Sequence, residues 1–314
     1  MNEYSSKKIP FLFIIDFEMN NPLIFKLDEI DSNKILFQIN EIKNYNNDLA
    51  TTEKLIFNKS PLPFDEYHCA FENVMLHIKE GNTYLCNLTF PTPIEMNYTL
   101  LDVFYASRAK YKLYYDDLFA VFSPECFIKI ENGKIYSFPM KGTIDASIPE
   151  SEEIILADKK ELAEHTTIVD LIRNDLSIVS EDVVVENFRY VEKIMTNQKD
   201  LLQVSSKISG ILPESYPSQI GNIIFNLLPA GSISGAPKKK TVEIIKEAEN
   251  YNRGYYTGVF GFFDGRNLDS AVMIRFIEKT NNEYYFKSGG GITFMSDPFS
   301  EYQELIDKVY VPII

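Results

Sequence analysis

Three strand-like runs, residues 255–263, 268–278 and 283–288, follow one another through the turns Asp264-Gly265-Arg266-Asn267 and Thr280-Asn281-Asn282. Connections this short return a chain antiparallel to itself, because a parallel crossover needs a dozen residues or more. This meander commits the C-terminal part to an antiparallel sheet. Asn132-Gly133, between runs at 126–130 and 134–138, adds a tight hairpin. Helical patterns stand between the strands without regular alternation. Phe71, Val74, Met75 and Ile78 space a helix over 66–79 that closes at Gly81, and others span about 158–174, open at Pro237, and run over 298–310. Such a mixture gives an α+β fold, not a doubly wound parallel sheet.

A core large enough for this fold is available. With 314 residues, 45% of them hydrophobic, the chain forms one large domain or two ordinary ones. Ser60-Pro61-Leu62-Pro63 is the sharpest internal boundary. It divides a short strand-rich segment, residues 1–65, with Asn-rich connections such as Asn44-Tyr45-Asn46-Asn47-Asp48, from a main body, residues 66–314. A formal net charge of −14 argues against nucleic acid and against anionic membrane surfaces as partners, so an anionic ligand must be met by local positive groups. The apolar run at 9–15 is too short for a secretion signal or a membrane span; closed by Asp16, it reads as a strand. Cys69, Cys86 and Cys126, odd in number and far apart, fit unpaired thiols and a cytoplasmic location.

Several constellations can carry chemistry. Ser288-Gly289-Gly290-Gly291-Ile292 is followed, ten residues after Gly291, by Glu301-x-x-Glu304-x-x-x-Lys308. Three bare backbone units are expected to crowd N–H groups against a ligand oxygen. Asp297-Pro298 reads as an N-cap with proline at the first helical position, with Tyr302, Leu305, Ile306 and Val309 as the buried stripe and Glu301, Glu304 and Lys308 on a neighbouring face. Glu161-x-x-Glu164 repeats the spacing on the helix that leads into Asp170-Leu171-Ile172-Arg173-Asn174-Asp175. Two such pairs suit Mg²⁺, which takes a couple of carboxylates and fills its shell with water and ligand oxygens. Read singly, each pair is as well explained by a solvated charged face, the second followed by His165.

Gly231-Ser232-Ile233-Ser234-Gly235-Ala236-Pro237-Lys238 feeds a helix N-terminus where an anion is favoured. It is not a Walker loop, since the lysine follows Ala236-Pro237. Lys238, Lys239 and Lys240 at the positive end of a helix dipole call for an anion or an acidic neighbour. Arg275, inside an apolar strand over 270–277, needs a partner, either a carboxylate ligand or a structural acid. Tyr256 on the preceding strand offers a hydroxyl. Lys141, between Pro139-Met140 and Gly142-Thr143, is either a surface lysine after a turn or an aimed nucleophile. Glu125, in Ser123-Pro124-Glu125-Cys126-Phe127, offers a general acid.

In this order the segments resemble the chorismate-utilising enzymes, closest to aminodeoxychorismate synthase component I in a short form. Anthranilate synthase component I is a near relative, and the isochorismate and salicylate synthases are more distant ones. The likeness runs from about Glu66 to Ile314 and rests on Ser123-Pro124-Glu125-x-Phe127, Pro139-Met140-Lys141-Gly142-Thr143, Glu164-His165 through Asp175, the Gly231–Lys238 loop, Arg253-Gly254-Tyr255-Tyr256-Thr257-Gly258, Ile274-Arg275 and the glycine and glutamate motifs. The resemblance implies a large mixed β-sandwich core of two packed sheets surrounded by helices. It also implies that Glu164 and Glu304 ligate Mg²⁺ with Glu161 and Glu301 in support, and that Arg275 and Tyr256 hold the enolpyruvyl carboxylate of chorismate. Gly289, Gly290, Gly291, Ser234 and Lys308 would contact the other carboxylate, and Glu125 would protonate the departing C4 hydroxyl.

Position 141 separates the members. Lysine there resembles aminodeoxychorismate synthase, in which the amine attacks C2, the C4 hydroxyl leaves, and ammonia then adds at C4 and expels the lysine. Nearby Mg²⁺ is expected to depress the pKa of Lys141. The water-activating lysine of isochorismate-forming relatives is missing from Tyr84-Leu85-Cys86-Asn87-Leu88, and Gln203 stands where anthranilate synthases carry histidine. Ser234 replaces a more usual threonine, and Ile144-Asp145-Ala146-Ser147 replaces an Arg-rich sequence. With no pattern for a regulatory tryptophan pocket, feedback by tryptophan is not expected. Without a glutaminase cysteine elbow, a glutamine amidotransferase subunit acting in trans is expected to supply ammonia. With no lyase domain after Ile314, the product is expected to be 4-amino-4-deoxychorismate. The rivals are anthranilate synthase component I and a non-catalytic Mg²⁺- and dicarboxylate-binding protein.

Overall fold

The computed structural model describes residues 1–46, 53–194 and 200–313; Asn47 and Asp48 of the Asn-rich connection, and Ile314, lie outside the described residues. Two antiparallel sheets of nine strands each form the framework, as expected. The first runs in the order Met140–Asp145, Leu201–Ile211, Lys134–Ser137, Cys126–Glu131, Leu268–Val272, Val259–Phe263, Phe11–Ile15, Leu23–Lys26, with Glu181–Ile194 also on Leu201–Ile211. The second runs Gly235–Ala236, Leu85–Met96, Glu283–Thr293, Phe276–Thr280, Phe119–Ser123, Tyr111–Tyr115, Ile35–Ile39, Ile42–Lys43, with Phe57–Lys59 on Leu85–Met96.

Period-two alternation explains how the sheets stack. On Phe11–Ile15, Leu12 and Ile14 enter the layer between the sheets, with Phe37, Leu113 and Phe260. Phe11, Phe13 and Ile15 enter a second layer under the helices, which contribute Tyr67, Phe71, Val74, Ile224 and Ile244. A strand apolar on both faces is therefore buried on both faces. Phe37 and Phe262 stack across the layer between the sheets, ring centroids 5.9 Å apart. Residues 1–65 supply strands to both sheets, and the Phe64–Lys79 helix starts directly after Pro63.

The Asn132-Gly133 hairpin forms, with both residues at positive φ, 51° and 77°. The helices at 159–176 and 298–307 are capped as their sequences require: the Asp158 and Asp297 carboxylates accept hydrogen bonds from the Glu161 and Ser300 N–H groups. The expected strand over 268–278 needs correction, because it is two strands in different sheets. Leu268–Val272 pairs with Val259–Phe263 in the first sheet and Phe276–Thr280 pairs with Glu283–Thr293 in the second. The chain changes sheet at Arg275, where φ is 53°. Arg275 is thus at a break between strands, a left-handed conformation that costs a non-glycine residue about 1 kcal/mol or more.

Candidate active site

Two helices and one glycine strand build the site. Glu161 and Glu164 project from the Lys159–Leu176 helix, Glu301 and Glu304 from the Pro298–Asp307 helix. The triple glycine does not form an isolated nest, contrary to the sequence reading. It lies within the Glu283–Thr293 strand, paired with Leu85–Met96, with Gly289 opposite Thr89, Gly290 opposite Leu88 and Gly291 opposite Asn87. The lack of side chains makes room instead: a Cβ on Gly290 would stand 3.2 Å from Glu301 Oε2, 3.8 Å from Glu304 Oε1 and 3.9 Å from Lys308 Nζ. Pairing to Phe276–Thr280 ends at Lys287, so beyond it this strand is paired on one side only. Its open edge begins where the chain departs through Arg275.

Each glutamate pair carries a lysine. Lys141 Nζ donates to Glu164 Oε2 at 2.7 Å, and Lys308 Nζ donates to Glu304 Oε1 at 2.6 Å and to the Gly289 carbonyl at 2.8 Å. Lys141 is aimed here by the irregular strand Met140–Asp145, whose register shifts between Met140 and Thr143 and whose Gly142 has φ 84°. Burial disfavours its ammonium, yet the Glu164 charge and hydrogen bond, with Glu304 and Glu161 behind, raise the pKa above the usual lysine value. The depressed pKa expected for Lys141 is not what these neighbours produce. Lys308 is lowered, by burial first and by the Arg275 and Lys141 charges, against the pull of Glu304.

The carboxylates form one electrostatic field. Glu161 is raised by burial and by Glu164; Glu301, 6% exposed, is raised by burial with Glu304 and Glu164 adding, while a hydrogen bond from Ser296 opposes. Burial also pushes on Glu304, but Lys308 wins and holds its carboxyl below the usual range. Oxygen-only donors of this kind suit Mg²⁺, and a cation would relieve the repulsion that raises Glu161 and Glu301. The pairs do not close around a point by themselves: among the described residues no three acidic, imidazole or thiol side chains gather as an ion would need. The donor chemistry therefore fits the metal, with oxygen atoms from a ligand left to complete the set.

Glu125 lies between the Phe119–Ser123 and Cys126–Glu131 strands, and its Oε1 accepts from Ser232 Oγ at 2.5 Å. Burial raises its pKa, opposed by that hydrogen bond and by the charges of Lys308, Arg275 and Lys141. Two of those cations, Lys308 and Lys141, act on Glu304 as well. Arg275 has no carboxylate within ion-pair distance among the described residues; its guanidinium lies 5.3 Å from the Tyr310 ring centre. Of the two partners considered from sequence, the structural acid is therefore not found. Tyr256 is buried, packs on Phe276 with ring centres 5.8 Å apart, and is raised by burial against the pull of Arg253 and Arg275. Ser234 is fully buried and its hydroxyl donates to the Ala230 carbonyl at 2.8 Å, which leaves it only as an acceptor toward a ligand. Gln203 lies opposite Thr143, two residues past Lys141.

Three features support the site, two of which, the burial of His165 and the grip of Arg253, escaped sequence reasoning. His165 is not on a solvated face: it is fully buried, its Nε2 is 2.7 Å from Ser206 Oγ, and burial lowers its pKa to about 4. The helical spacing of His165, Ile168, Ile172 and Leu176 was the available signal. Lys238 is met by an acidic neighbour, Asp175, at 2.9 Å. Arg253, 1% exposed, grips Glu249 and donates to the carbonyls of Ile233 and Asn87, fastening the loop that carries Tyr256 to the strand facing the glycines. A larger cavity of about 560 Å³, bordered by Asn40, Lys129, Glu192 and Asp269, opens elsewhere and includes none of the four glutamates.

Similarity to known proteins agrees with this geometry. A family model described as chorismate binding enzyme matches residues 17–313. An "Uncharacterized PabA-like protein" of Haemophilus influenzae is 49% identical over 99% of this chain and 95% of its own length, and another of Pasteurella multocida is 50% identical over 99% and 97%. Aminodeoxychorismate synthase component 1 of Bacillus subtilis is 31% identical over 80% of this chain, which spans 55% of that protein. Anthranilate synthase component I of Streptococcus pneumoniae superimposes with a TM-score of 0.68 at 27% identity, over 83% of this chain and 60% of the other. The two-sheet framework, the glutamate helices brought together across a glycine strand, and a match over nearly the whole length assign this chain to the chorismate binding enzyme family.

Proposed function

We propose that this protein aminates chorismate at C4 with ammonia, the reaction of aminodeoxychorismate synthase component I, as a cytoplasmic step toward 4-aminobenzoate and folate. The observation that carries the reading is Lys141, whose Nζ lies 2.7 Å from Glu164 within the field of Glu304 and Glu161. A surface lysine has no reason to enter a carboxylate site by way of a strand irregularity. Arg275, with no carboxylate partner among the described residues, and the Tyr256 hydroxyl receive the enolpyruvyl carboxylate; Lys308 and the glycine strand line the place of the ring carboxylate, while Ser234, whose proton is committed to the Ala230 carbonyl, has none to give it. Glu164 and Glu304, supported by Glu161 and Glu301, would hold Mg²⁺, which neutralises that carboxylate when bound.

Lys141 passes a proton to Glu164 and attacks C2 as the free amine while both ring double bonds shift and the C4–O bond breaks. Glu125, whose protonated form burial favours, gives its proton to the leaving hydroxyl, which departs as water. Ammonia then adds at C4, both double bonds return, and the C2–N bond breaks, releasing the Lys141 amine, which takes its proton back from Glu164. The new C4 ammonium returns a proton to Glu125, so the cycle balances as chorismate plus ammonia giving 4-amino-4-deoxychorismate plus water. A glutamine amidotransferase partner in trans supplies the ammonia.

The likeness to the Streptococcus anthranilate synthase supports a second reading, amination at C2 with loss of pyruvate. One incubation with chorismate, Mg²⁺ and ammonium separates them by product. 4-Amino-4-deoxychorismate is expected, anthranilate overturns the main reading, and bound but unchanged chorismate marks a binding protein.

A further inference from the structure

We infer that Ser232 is the positioning residue for Glu125, and that it is itself held in place by the Asp175–Lys238 ion pair. This rests on the role of Glu125 given above. Ser232 belongs to the Gly231–Ser234 turn of helix, remote in sequence from Glu125, and its Oγ donates to Glu125 Oε1 at 2.5 Å. A hydroxyl on Oε1 leaves the acidic proton to Oε2, the oxygen free to face a substrate. The same two residues border a cavity of about 20 Å³ that Asp175 and Ser137 also line. A volume of this size has room for one water at most beside the pair.

The turn that carries Ser232 is pinned from behind. Gly231 packs so closely on the Lys159–Leu176 helix that a Cβ there would lie 2.7 Å from Asp175 Oδ2 and 3.1 Å from Leu171 Cγ. Lys238, at the other end of the same loop, bonds Asp175 at 2.9 Å and the Leu227 carbonyl at 2.8 Å. One helix therefore carries Glu161 and Glu164 into the site and, two turns or more further along, anchors the group that orients the acid. The charged and titratable groups acting on Glu125 are Lys141, Arg275 and Lys308, with Cys126 beside it and Asp175 across the cavity. None of the first three is bonded to Oε1; Ser232 is.

The test compares Ser232→Ala, Ser232→Thr and Asp175→Asn with wild type in two measurements. In ammonia-dependent chorismate consumption, Ser232→Ala is expected to lower kcat about tenfold with little change in KM, while Ser232→Thr, which keeps the hydroxyl, restores most of the rate. Because the hydrogen bond favours the ionised carboxyl, its loss shifts the alkaline fall in activity to higher pH. Asp175→Asn is expected to show the same changes more weakly. In a Glu125→Gln background the Ser232→Ala change should cost nothing further. The second measurement, a ¹³C carboxyl titration of Glu125, needs no turnover and should show an upward shift in Ser232→Ala. If wild type consumes no chorismate, the proposed function fails and the titration alone decides this inference. An unchanged Glu125 titration, or a Ser232→Ala loss that persists in full alongside Glu125→Gln, overturns it.

Discussion

Gly289 and Gly290 are neighbours in one strand, yet the structure assigns them opposite fates on substitution by alanine. Neither has a positive φ, so a side chain is permitted by the backbone, and less freedom in the unfolded chain would contribute about 0.4–1 kcal/mol of stability at either position. At Gly289 the new Cβ would lie 2.2 Å from the Leu88 carbonyl oxygen and 2.7 Å from Thr89 Cα, both backbone atoms of the paired strand. Relief requires the two strands to part by about 1 Å, an overpacking cost of about 3 kcal/mol or more. Gly289→Ala should therefore lose about 2 kcal/mol net, which for a chain of this size lowers Tm by about 3 °C. At Gly290 the Cβ meets only the end of a side chain, Glu301 Oε2 at 3.2 Å, and a shift of a few tenths of an ångström relieves it. Its cost is offset by the chain-entropy gain, and Tm should stay within about 2 °C. The shift falls on a carboxylate fixed by Ser296 at 2.8 Å, so the Mg²⁺ concentration giving half-maximal rate should rise by about 10-fold or more. Differential scanning fluorimetry and metal-dependent chorismate turnover measure the two effects. Equal melting losses, or a Gly290→Ala enzyme with unchanged metal dependence, refute the packing argument.

Lys141→Ala should abolish ammonia-dependent turnover while chorismate binding, followed by calorimetry, persists; full activity in that variant removes the covalent role. Arg253→Ala leaves Glu249 buried without its partner and should cost about 3–5 kcal/mol in urea unfolding. Lys112 is 4% exposed, sits 4.6 Å from the Phe104 ring centre, and is lowered by burial, with Lys43 adding, to about 8. Between pH 8 and 10.5 the unfolded chain holds a proton that the native lysine has released, so stability should rise by about 3 kcal/mol across that window. Lys112→Met should flatten that rise, and a slope unchanged by the substitution would show that the lysine is not its source.

Local rules were enough for much of the framework. The Asn132-Gly133 turn, the Asp297 cap and the apolar strand ending at Asp16 each depend on neighbours within a few positions, and each was legible. The break at Arg275 was not, because residues 268–278 are uniformly strand-like and only competition between two sheets divides them. The triple glycine was legible as a place needing bare backbone, while its reason was not: what a Cβ would strike there comes from residues 88 and 301. His165 and Asp175 look polar in sequence and become structural once the Lys159–Leu176 helix is packed.

The sequence by itself determined the antiparallel meander, the main helices that carry the glutamate pairs and the residue types of the site, since turns, caps and periodicity act over short range. Tertiary structure decided which of those residues meet. Glu161, Glu164, Glu301, Glu304 and Lys141 converge only when two helices and an irregular strand pack around a glycine strand, and Glu125 gains its orienting hydroxyl from a turn far away in sequence. Spacing along the chain cannot specify such contacts; burial of the apolar faces that lock those elements together does.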